Sequence, residues 1–237
     1  MNIKQVLEKI IKIFFPDRCV GCDLVILPGK GVCAECAKKI RLLQGPVCMV
    51  CGKKVKEGVV CCYDCTRKKH EFIRNNAIFE YADLRESLYR FKYSGRAEYA
   101  AYYAQKACEL YGKKLDLWKA DAIVPIPLHF SRYRKRGYNQ AEEFAKELSK
   151  RTGIPLDSKV LKRVKNTKPL KLLSLSERQN NLKKAFLFKQ NDVKLNTIIL
   201  VDDIYTTGAT LDAAATVCKE GGVAEIYTIT IAVGQGF

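Results

Sequence analysis

The chain has 237 residues, enough for one full α/β domain and a small additional module. Its 42 lysines and arginines against 25 aspartates and glutamates give a formal net charge of +17. Such a balance favours polyanionic partners, with a basic surface that only confers solubility as the alternative. No internal repeat, low-complexity tract or run of about twenty apolar residues is present, which excludes a repeat protein and a membrane span.

The first fifteen residues carry apolar side chains at helical spacing, interrupted by charged ones. The apolar positions are Ile3, Val6, Leu7, Ile10, Ile11, Phe14 and Phe15, and the charged positions are Lys4, Glu8, Lys9 and Lys12. A secretory signal needs a longer uncharged run. The pattern predicts an amphipathic helix over 1–15 that packs on the body of the protein, with a helix on a membrane surface as the alternative.

Nine of the eleven cysteines lie in the segment that follows, eight of them as Cys-x-x-Cys pairs. The pairs are Cys19 and Cys22, Cys33 and Cys36, Cys48 and Cys51, and Cys62 and Cys65, with ten, eleven and ten residues between successive pairs. Each pair places two sulfurs on one face of a turn, and two pairs complete a tetrahedral Zn²⁺ site. The spacing predicts a module over 16–70 that folds around two closed, structural zinc sites.

Three questions about this module stay open in the sequence. Sequential and crossed pairing of the turns are both allowed, Cys61 or His70 could replace a ligand, and a redox disulfide relay is the rival to zinc. Metal thiolates are typical of a reducing compartment, so we expect a cytoplasmic protein. Two four-thiolate zinc sites of about −2 each would lower the net charge to about +13.

Residues 71–237 alternate between strand and helix patterns. Strands are predicted at 71–81, 121–128, 185–189 and 197–201, and helices at 84–93, 97–111, 141–151 and 209–220. A loop at 129–140 with four basic and three aromatic residues follows the second of these strands. The β-branched, apolar run at 197–201 is typical of a strand covered on both faces. We therefore expect an α/β domain with a parallel sheet over 71–237.

Two carboxylates, Asp202 and Asp203, directly follow the last predicted strand, where open α/β sheets bind ligands. Adjacent carboxylates accept hydrogen bonds from paired hydroxyls such as those of a ribose, or they bind Mg²⁺. Free amides and three hydroxyls that can hold a phosphate follow at Thr206, Thr207, Gly208, Ala209 and Thr210, which lead into a helix. The alternative is a strand, turn and helix whose Asp and Thr residues only cap the helix.

This stretch resembles the phosphoribosyl pyrophosphate (PRPP) loop of type I phosphoribosyltransferases. The resemblance implies that Asp202 and Asp203 are the catalytic pair and bind the ribose hydroxyls, with Mg²⁺ accompanying PRPP. It also implies that 206–210 wraps the 5′-phosphate. The loop at 129–140 then holds the pyrophosphate, to which the guanidinium groups of Arg132 and Arg136 can donate.

A set of shorter motifs, in the same order along the chain, resembles the ComF family of competence proteins. They are the cysteine-rich module, Phe91-Lys-Tyr-Ser-Gly95, Val124-Pro-Ile-Pro-Leu128, Arg136-Gly-Tyr-Asn-Gln140 and Glu177-Arg-Gln-Asn-Asn-Leu182, followed by the PRPP loop. The resemblance implies a type I phosphoribosyltransferase-like domain behind a small zinc module, and a role in natural transformation, the uptake of external DNA. One position departs from the family pattern, because Leu170 stands where the family has glutamine.

Three functions are consistent with these features. The first is Mg²⁺-dependent transfer of ribose 5-phosphate from PRPP to a nucleophile. The second is non-catalytic binding of single-stranded DNA, with bases stacked on Phe130, Tyr133 and Tyr138 between arginines. The third is an adaptor whose zinc module docks a competence helicase. The basic segment 161–181 fits either a flap that closes over PRPP or a surface that follows DNA phosphates.

Overall fold

The computed structural model describes residues 16–164, 185–189 and 194–234. The helix predicted over 1–15, most of the basic segment 161–181, and Leu170 lie outside the described residues. Within the described ranges, no helix has the length and apolar character needed to cross a membrane.

Six strands and seven helices make up this part of the chain. The strands are β1 (Arg74–Glu80), β2 (Ala122–Pro125), β3 (Leu161–Arg163), β4 (Phe186–Phe188), β5 (Thr197–Tyr205) and β6 (Glu225–Val233). The helices are α1 (Ala34–Lys39), α2 (Tyr63–Arg67), α3 (Tyr81–Tyr93), α4 (Tyr99–Trp118), α5 (Phe130–Arg136), α6 (Gln140–Thr152) and α7 (Ala209–Glu220).

Four of the strands form one parallel sheet in the order β1, β6, β5, β2. In β5, Ile198 and Leu200 belong to the core on one face of the sheet, and Ile199 and Val201 to the core on the other. All four side chains are completely buried, which explains the uninterrupted apolar run in the sequence. The predicted α/β fold with a parallel sheet is therefore confirmed. β3 and β4 pair antiparallel as a separate small sheet.

Helices cover both faces of the parallel sheet. On one face, α4 and α6 contribute Tyr103, Phe144 and Leu148, none of which is accessible to solvent. On the other, α7 contributes Ala214 and Cys218 to a core shared with β4. Burial of each large apolar side chain stabilises such a core by roughly 1.5–3 kcal/mol. The packed layers hold the carboxyl ends of the strands, where the two acids lie, in fixed positions.

The cysteine-rich segment packs on this same core. Asn75 of β1 donates from its side chain to Cys51 O at 3.0 Å. Arg96, just before α4, contacts Asp23 with 2.7 Å between Nε and Oδ1, and Tyr99 Oη donates to the same carboxylate oxygen at 2.7 Å. These contacts join the segment to the edge of the sheet and to α4.

Several predicted boundaries differ from the structure; the helix predicted at 97–111, for example, continues to Trp118 as α4. The loop predicted at 129–140 contains helix α5, which begins where His129 Nδ1 accepts a hydrogen bond from Ser131 N at 3.2 Å and ends at Gly137, with φ of 82°. β5 continues beyond position 201 to Tyr205, because Asp202 still pairs with a residue of β6. The acids consequently belong to a sheet strand and not to the turn that follows it.

Candidate functional site

The eight cysteines of the four pairs gather into two separate groups. Cys19, Cys22, Cys33 and Cys36 form the first cysteine group, and Cys48, Cys51, Cys62 and Cys65 form the second. Within each group the sulfurs all lie within 4.8 Å of one another, with 3.6 Å between Cys51 and Cys62. Tetrahedral zinc with bonds of about 2.3 Å needs sulfurs about 3.8 Å apart, so both groups fit Zn²⁺. Pairing of the turns is therefore sequential, and neither group includes Cys61 or His70.

The backbone favours the thiolate form of one cysteine in each group. Burial opposes ionisation of Cys48, but N–H groups of Cys51 and Cys62 outweigh it and lower the pKa of Cys48 to about 6. The same competition, decided by N–H groups of Cys22 and Cys33, lowers the pKa of Cys19 to about 7. Since zinc binds thiolates, the lowered pKa values of Cys48 and Cys19 favour metal binding. Four sulfurs fill a tetrahedral shell, which indicates structural zinc.

Asp202 and Asp203, near the carboxyl end of β5, have different partners. An Asp203 carboxylate oxygen lies 3.0 Å from Lys92 Nζ on α3, and both side chains are only 16% exposed. Asp203 N donates to Asp202 Oδ1 at 2.8 Å. Burial, together with the Asp203 charge, raises the pKa of Asp202 to about 7. The pair thus offers half-buried carboxylate oxygens to a hydroxyl donor or a cation.

Two basic residues beside the acid pair were not assigned to it from the sequence. Lys92 lies within the 91–95 motif, for which the sequence pattern indicated no chemical role, and Arg163 lies on β3. Burial, together with repulsion from Arg132, lowers the pKa of Arg163, and attraction to Asp202 opposes that shift. The motif itself was the available signal for Lys92, whereas only the fold brings Arg163 to the acids.

The residues after the acids form a tight turn into α7. Thr206 and Thr207 are exposed, and Gly208 occupies the N-cap position of the helix with φ of 74°. No side-chain hydrogen bond caps α7 at this position, so the first amides of the helix are free to donate to a ligand. Ala209 and Thr210, both half-buried, begin the helix. This geometry favours a bound phosphate over the alternative in which Asp and Thr residues only cap the helix.

The structure separates the two arginines that the sequence placed together. Arg136 donates to Gln140 Oε1 at 2.7 Å, and its guanidinium lies 5.1 Å from the ring centre of Tyr93. Arg132 instead lies close enough to Arg163 to lower its pKa. Arg136 therefore belongs to a neighbouring aromatic surface, whereas the charge of Arg132 acts on Arg163.

The aromatic surface consists of Tyr89 and Tyr93 on α3 together with Arg136 on α5, and we call it the tyrosine surface. Tyr89 and Tyr93 are 63% and 48% exposed, and their ring centres lie 5.2 Å apart. With Lys92 and Ile204 they line a cavity of about 440 Å³. Lys92 lines this cavity and also contacts Asp203 of the acid pair.

The aromatic residues proposed for base stacking lie in different environments. Phe130 and Tyr133 on α5 are 68% and 47% exposed. Tyr138 is half-buried, and its hydroxyl donates to the backbone oxygen of Phe91. Tyr138 therefore serves packing, and only Phe130 and Tyr133 keep exposed rings for a base.

Comparison with known families gives the class of protein that this fold and site define. Residues 10–66 match the double zinc ribbon domain, and residues 106–235 match the phosphoribosyl transferase domain. The chain thus combines a zinc ribbon with a phosphoribosyl transferase domain that covers more than half of its length.

Similarity to individual proteins extends over nearly the whole chain. Competence protein F of Haemophilus influenzae is 31% identical over 226 residues, which cover 90% of this chain and 95% of that protein. Competence protein ComFC of Bacillus subtilis is 31% identical over 217 residues, which cover 87% and 86%. DNA utilization protein YhgH of Escherichia coli is 28% identical over 216 residues, which cover 89% and 94%. The chain belongs to the ComF family of competence proteins, as its motifs predicted.

Proposed function

We propose that the chain binds PRPP at the carboxyl end of β5 and transfers its ribose 5-phosphate group to a nucleophile. One observation carries this proposal: the half-buried acids Asp202 and Asp203 are followed within a few residues by an uncapped helix start at Gly208. Acceptors for a sugar and donors for a phosphate are thus adjacent in the chain. The match to the phosphoribosyl transferase domain supports the same ligand.

Each part of PRPP has a matching set of groups. The ribose hydroxyls donate to Asp202 and Asp203, the 5′-phosphate accepts from the amides and hydroxyls of 206–210, and the pyrophosphate accepts from Arg132 and Arg163. The acid pair also fits Mg²⁺, which would neutralise charge on the pyrophosphate.

Transfer breaks the bond between C1 of the ribose and the pyrophosphate oxygen. The electron pair leaves with the pyrophosphate, and the nucleophile forms the new bond at C1. In the oxocarbenium-like transition state, Asp202 and Asp203 hold the sugar in place and face its developing positive charge with fixed negative charge. When no ligand is bound, Lys92 neutralises part of the negative charge of the acid pair through its contact with Asp203.

Calorimetric titration of the zinc-loaded protein with PRPP, with and without Mg²⁺, tests the binding. Saturable binding is expected, and Asp202→Asn combined with Asp203→Asn should weaken it by about a hundredfold or more, because two charge-assisted hydrogen-bond acceptors are lost. Asp83→Asn, which removes an exposed carboxylate of α3, is the matched control and should bind normally. Pyrophosphate release with a candidate acceptor then tests transfer. Failure to bind millimolar PRPP would refute the proposal.

A second candidate, binding of single-stranded DNA, is favoured by the tyrosine surface. Two exposed rings, one of them beneath a guanidinium, suit unstacked bases. The relatives are named for competence and DNA utilization. We propose that this surface holds incoming DNA in the cytoplasm during natural transformation, with PRPP as a ligand of the same protein. Docking of a competence helicase on the zinc module stays a third proposal.

Fluorescence anisotropy with a labelled single-stranded oligonucleotide tests the tyrosine surface. Tyr89→Ala and Tyr93→Ala should each weaken binding about tenfold, because a stacked base contributes roughly 1–3 kcal/mol. Tyr89→Phe and Tyr93→Phe keep the rings and should bind like the unmodified protein. Alanine variants that retain full affinity would place the DNA elsewhere.

A further inference from the structure

His70 lies between the second cysteine group and the start of α7, with a side chain only 2% exposed. Its Nδ1–H donates to the Asp212 carboxylate, at 3.0 Å from each oxygen. Its Nε2 lies 3.6 Å from Cys65 Sγ and 3.4 Å from Tyr205 Oη. One buried ring therefore touches a cysteine of the second group, the first turn of α7 and the last residue of β5.

The turn that carries Gly208 packs directly on this ring. A methyl group added at Gly208 would lie 2.9 Å from His70 Cε1 and 2.7 Å from Tyr205 Oη, both closer than such contacts allow. Phe72 stacks on the imidazole with 4.8 Å between ring centres and restricts its tilt. Because the amides that face a phosphate follow Gly208 directly, the position of the His70 ring determines where they point.

Asp212 and its other partners complete the connection. Lys68 Nζ lies 2.6 Å from Asp212 Oδ2 and 3.4 Å from Thr207 O, and Glu71 N donates to Asp212 Oδ1 at 3.1 Å. Although burial opposes ionisation, hydrogen bonds from His70 and Lys68 hold the pKa of Asp212 below its usual value. The segment that directly follows Cys65 is thus attached to α7 at three points.

We propose that His70 is a positioning residue through which zinc at the second cysteine group holds the phosphate loop, residues 206–210, in its binding geometry. The inference rests on the proposed binding of PRPP and adds metal-dependent control to it. With zinc bound, Cys65 fixes the segment that carries His70, and the ring supports Gly208. Without zinc, that support is lost and affinity for PRPP falls. Linkage requires the converse as well: PRPP must tighten zinc at this group by the same factor.

The first cysteine group provides a control within the same chain. Its segment is attached to α4 through Asp23, which lies 2.7 Å from both Arg96 Nε and Tyr99 Oη. Among the described residues, hydrogen bonds from this segment reach α3, where Arg90 donates to Gly21 O, and α4, where Tyr99 donates to Asp23, and neither of these helices carries the phosphate loop. PRPP should therefore leave the zinc affinity of the first group unchanged.

The experiment measures zinc retention and PRPP affinity on the full chain loaded with two zinc ions. Zinc is withdrawn by a chelator of known affinity, with and without saturating PRPP, and an indicator dye reports the free metal. We expect PRPP to increase the affinity for one of the two zinc ions about tenfold and to leave the affinity for the other unchanged. Cys33→Ser and Cys62→Ser, each of which disables one group, assign the two ions.

Two variants of His70 separate positioning from folding. His70→Ala should weaken zinc at the second group about tenfold, remove the effect of PRPP on it, and leave the first group unchanged. His70→Asn is the conservative variant, because its amide can still donate to Asp212 but is too short to reach Cys65. It should fold normally and also lack the linkage.

The results distinguish this inference from the function on which it rests. Equal tightening of both zinc ions, or an unchanged linkage in His70→Asn, would overturn the role of His70 while PRPP binding stands. Absence of PRPP binding in the unmodified, zinc-loaded protein would remove the proposed function and the linkage together. Loss of linkage in both His70 variants, with normal zinc at the first group, is the expected result.

Discussion

At the scale of single residues, ionisation of Asp202 is unfavourable in the folded protein. Burial and the neighbouring Asp203 raise the pKa of Asp202 from 3.8 to about 7. Between these two values the folded protein keeps a proton that the unfolded chain releases. The contribution of Asp202 to the free energy of unfolding therefore falls as the pH rises from about 4 to about 7, and this contribution is lowest above that range.

Asp202→Asn should raise the melting temperature, and more at pH 8 than at pH 5. The amide cannot ionise, so the variant avoids a cost that reaches roughly 1–4 kcal/mol above pH 7 and vanishes below pH 4, where the carboxyl is protonated in both states. Thermal unfolding between pH 4 and pH 8 measures the effect. A gain that is equal at every pH would show that ionisation of Asp202 is not its cause.

Asp203→Asn is the matched control, because it changes the adjacent carboxylate in the same way. Its expected effect is opposite in sign: Lys92, only 16% exposed, loses its partner, and stability should fall by about 1–3 kcal/mol. Adding Lys92→Met to Asp203→Asn should restore part of this loss. No recovery in the double variant would mean that the two side chains are not coupled.

Gly208→Ala tests whether the phosphate loop depends on close packing as well as on backbone freedom. Gly208 has φ of 74° and faces His70 and Tyr205 at distances that exclude a methyl group, whereas Gly222 has φ of 96° and no atom within 4 Å. Gly222→Ala should cost about 1 kcal/mol from backbone strain, and Gly208→Ala should cost more and also weaken PRPP binding. Chemical denaturation and calorimetry compare them; equal losses would refute the packing argument.

At the scale of elements, hydrophobic pattern alone predicted most of the domain. The run at 197–201 identified the strand β5, and the alanine-rich segment at 209–220 gave α7 with its observed bounds. The pattern missed α5, because seven residues with four basic side chains show no apolar face, and its capping by His129 is an unusual signal. It also ended β5 too early, because pairing with β6 and not hydrophobicity extends that strand through the acids.

The hydrophobic pattern also did not predict the buried polar side chains that attach the zinc module to the sheet. Asn75 is fully buried and donates to Cys51 O at 3.0 Å and to Thr230 Oγ1 at 3.2 Å, and it accepts from Thr228 Oγ1 at 2.8 Å. Asn76, the next residue, donates only to Thr228 O at 3.2 Å, and its own side-chain oxygen lacks a partner among the described residues.

Asn75→Ala should therefore destabilise the protein more than Asn76→Ala does. Removal of Asn75 takes a buried hydrogen-bond partner from the carbonyl of Cys51 and from the hydroxyls of Thr228 and Thr230, at about 2–4 kcal/mol, although Thr228 keeps its bond to Arg74 O. Asn76 supplies one hydrogen bond worth about 1 kcal/mol. Chemical denaturation of the zinc-loaded proteins gives both values. Equal losses would mean that cavity formation, common to both variants, determines the cost.

At the scale of the whole molecule, the sequence identified the parts of the site but not their arrangement. The cysteine pairs, the acids and the phosphate loop are local patterns, so spacing was enough to find them. The contact of His70 with Asp212 joins residues 142 positions apart, and Lys92 reaches Asp203 from a separate element. Such contacts depend on how the layers pack, which one sequence cannot specify. The same holds for Arg132 and Arg136, one turn apart on α5 but with different surroundings.

The net charge of +17 attracts DNA to the whole surface, so the salt dependence of binding must separate specific contacts from this general attraction. Arg136→Ala removes a charge of the tyrosine surface, and Lys150→Ala removes one on α6, where Lys150 pairs with Glu147 at 2.6 Å. Arg136→Ala should reduce the slope of log affinity against log salt concentration by about 0.7, the value for one lost phosphate contact of a single strand. Lys150→Ala should leave the slope unchanged, and Tyr89→Ala should lower affinity at every salt concentration without changing the slope.

Anisotropy titrations between low and physiological salt measure all three variants. Equal slopes for the two charge variants would show that net charge, and not the tyrosine surface, determines where DNA binds.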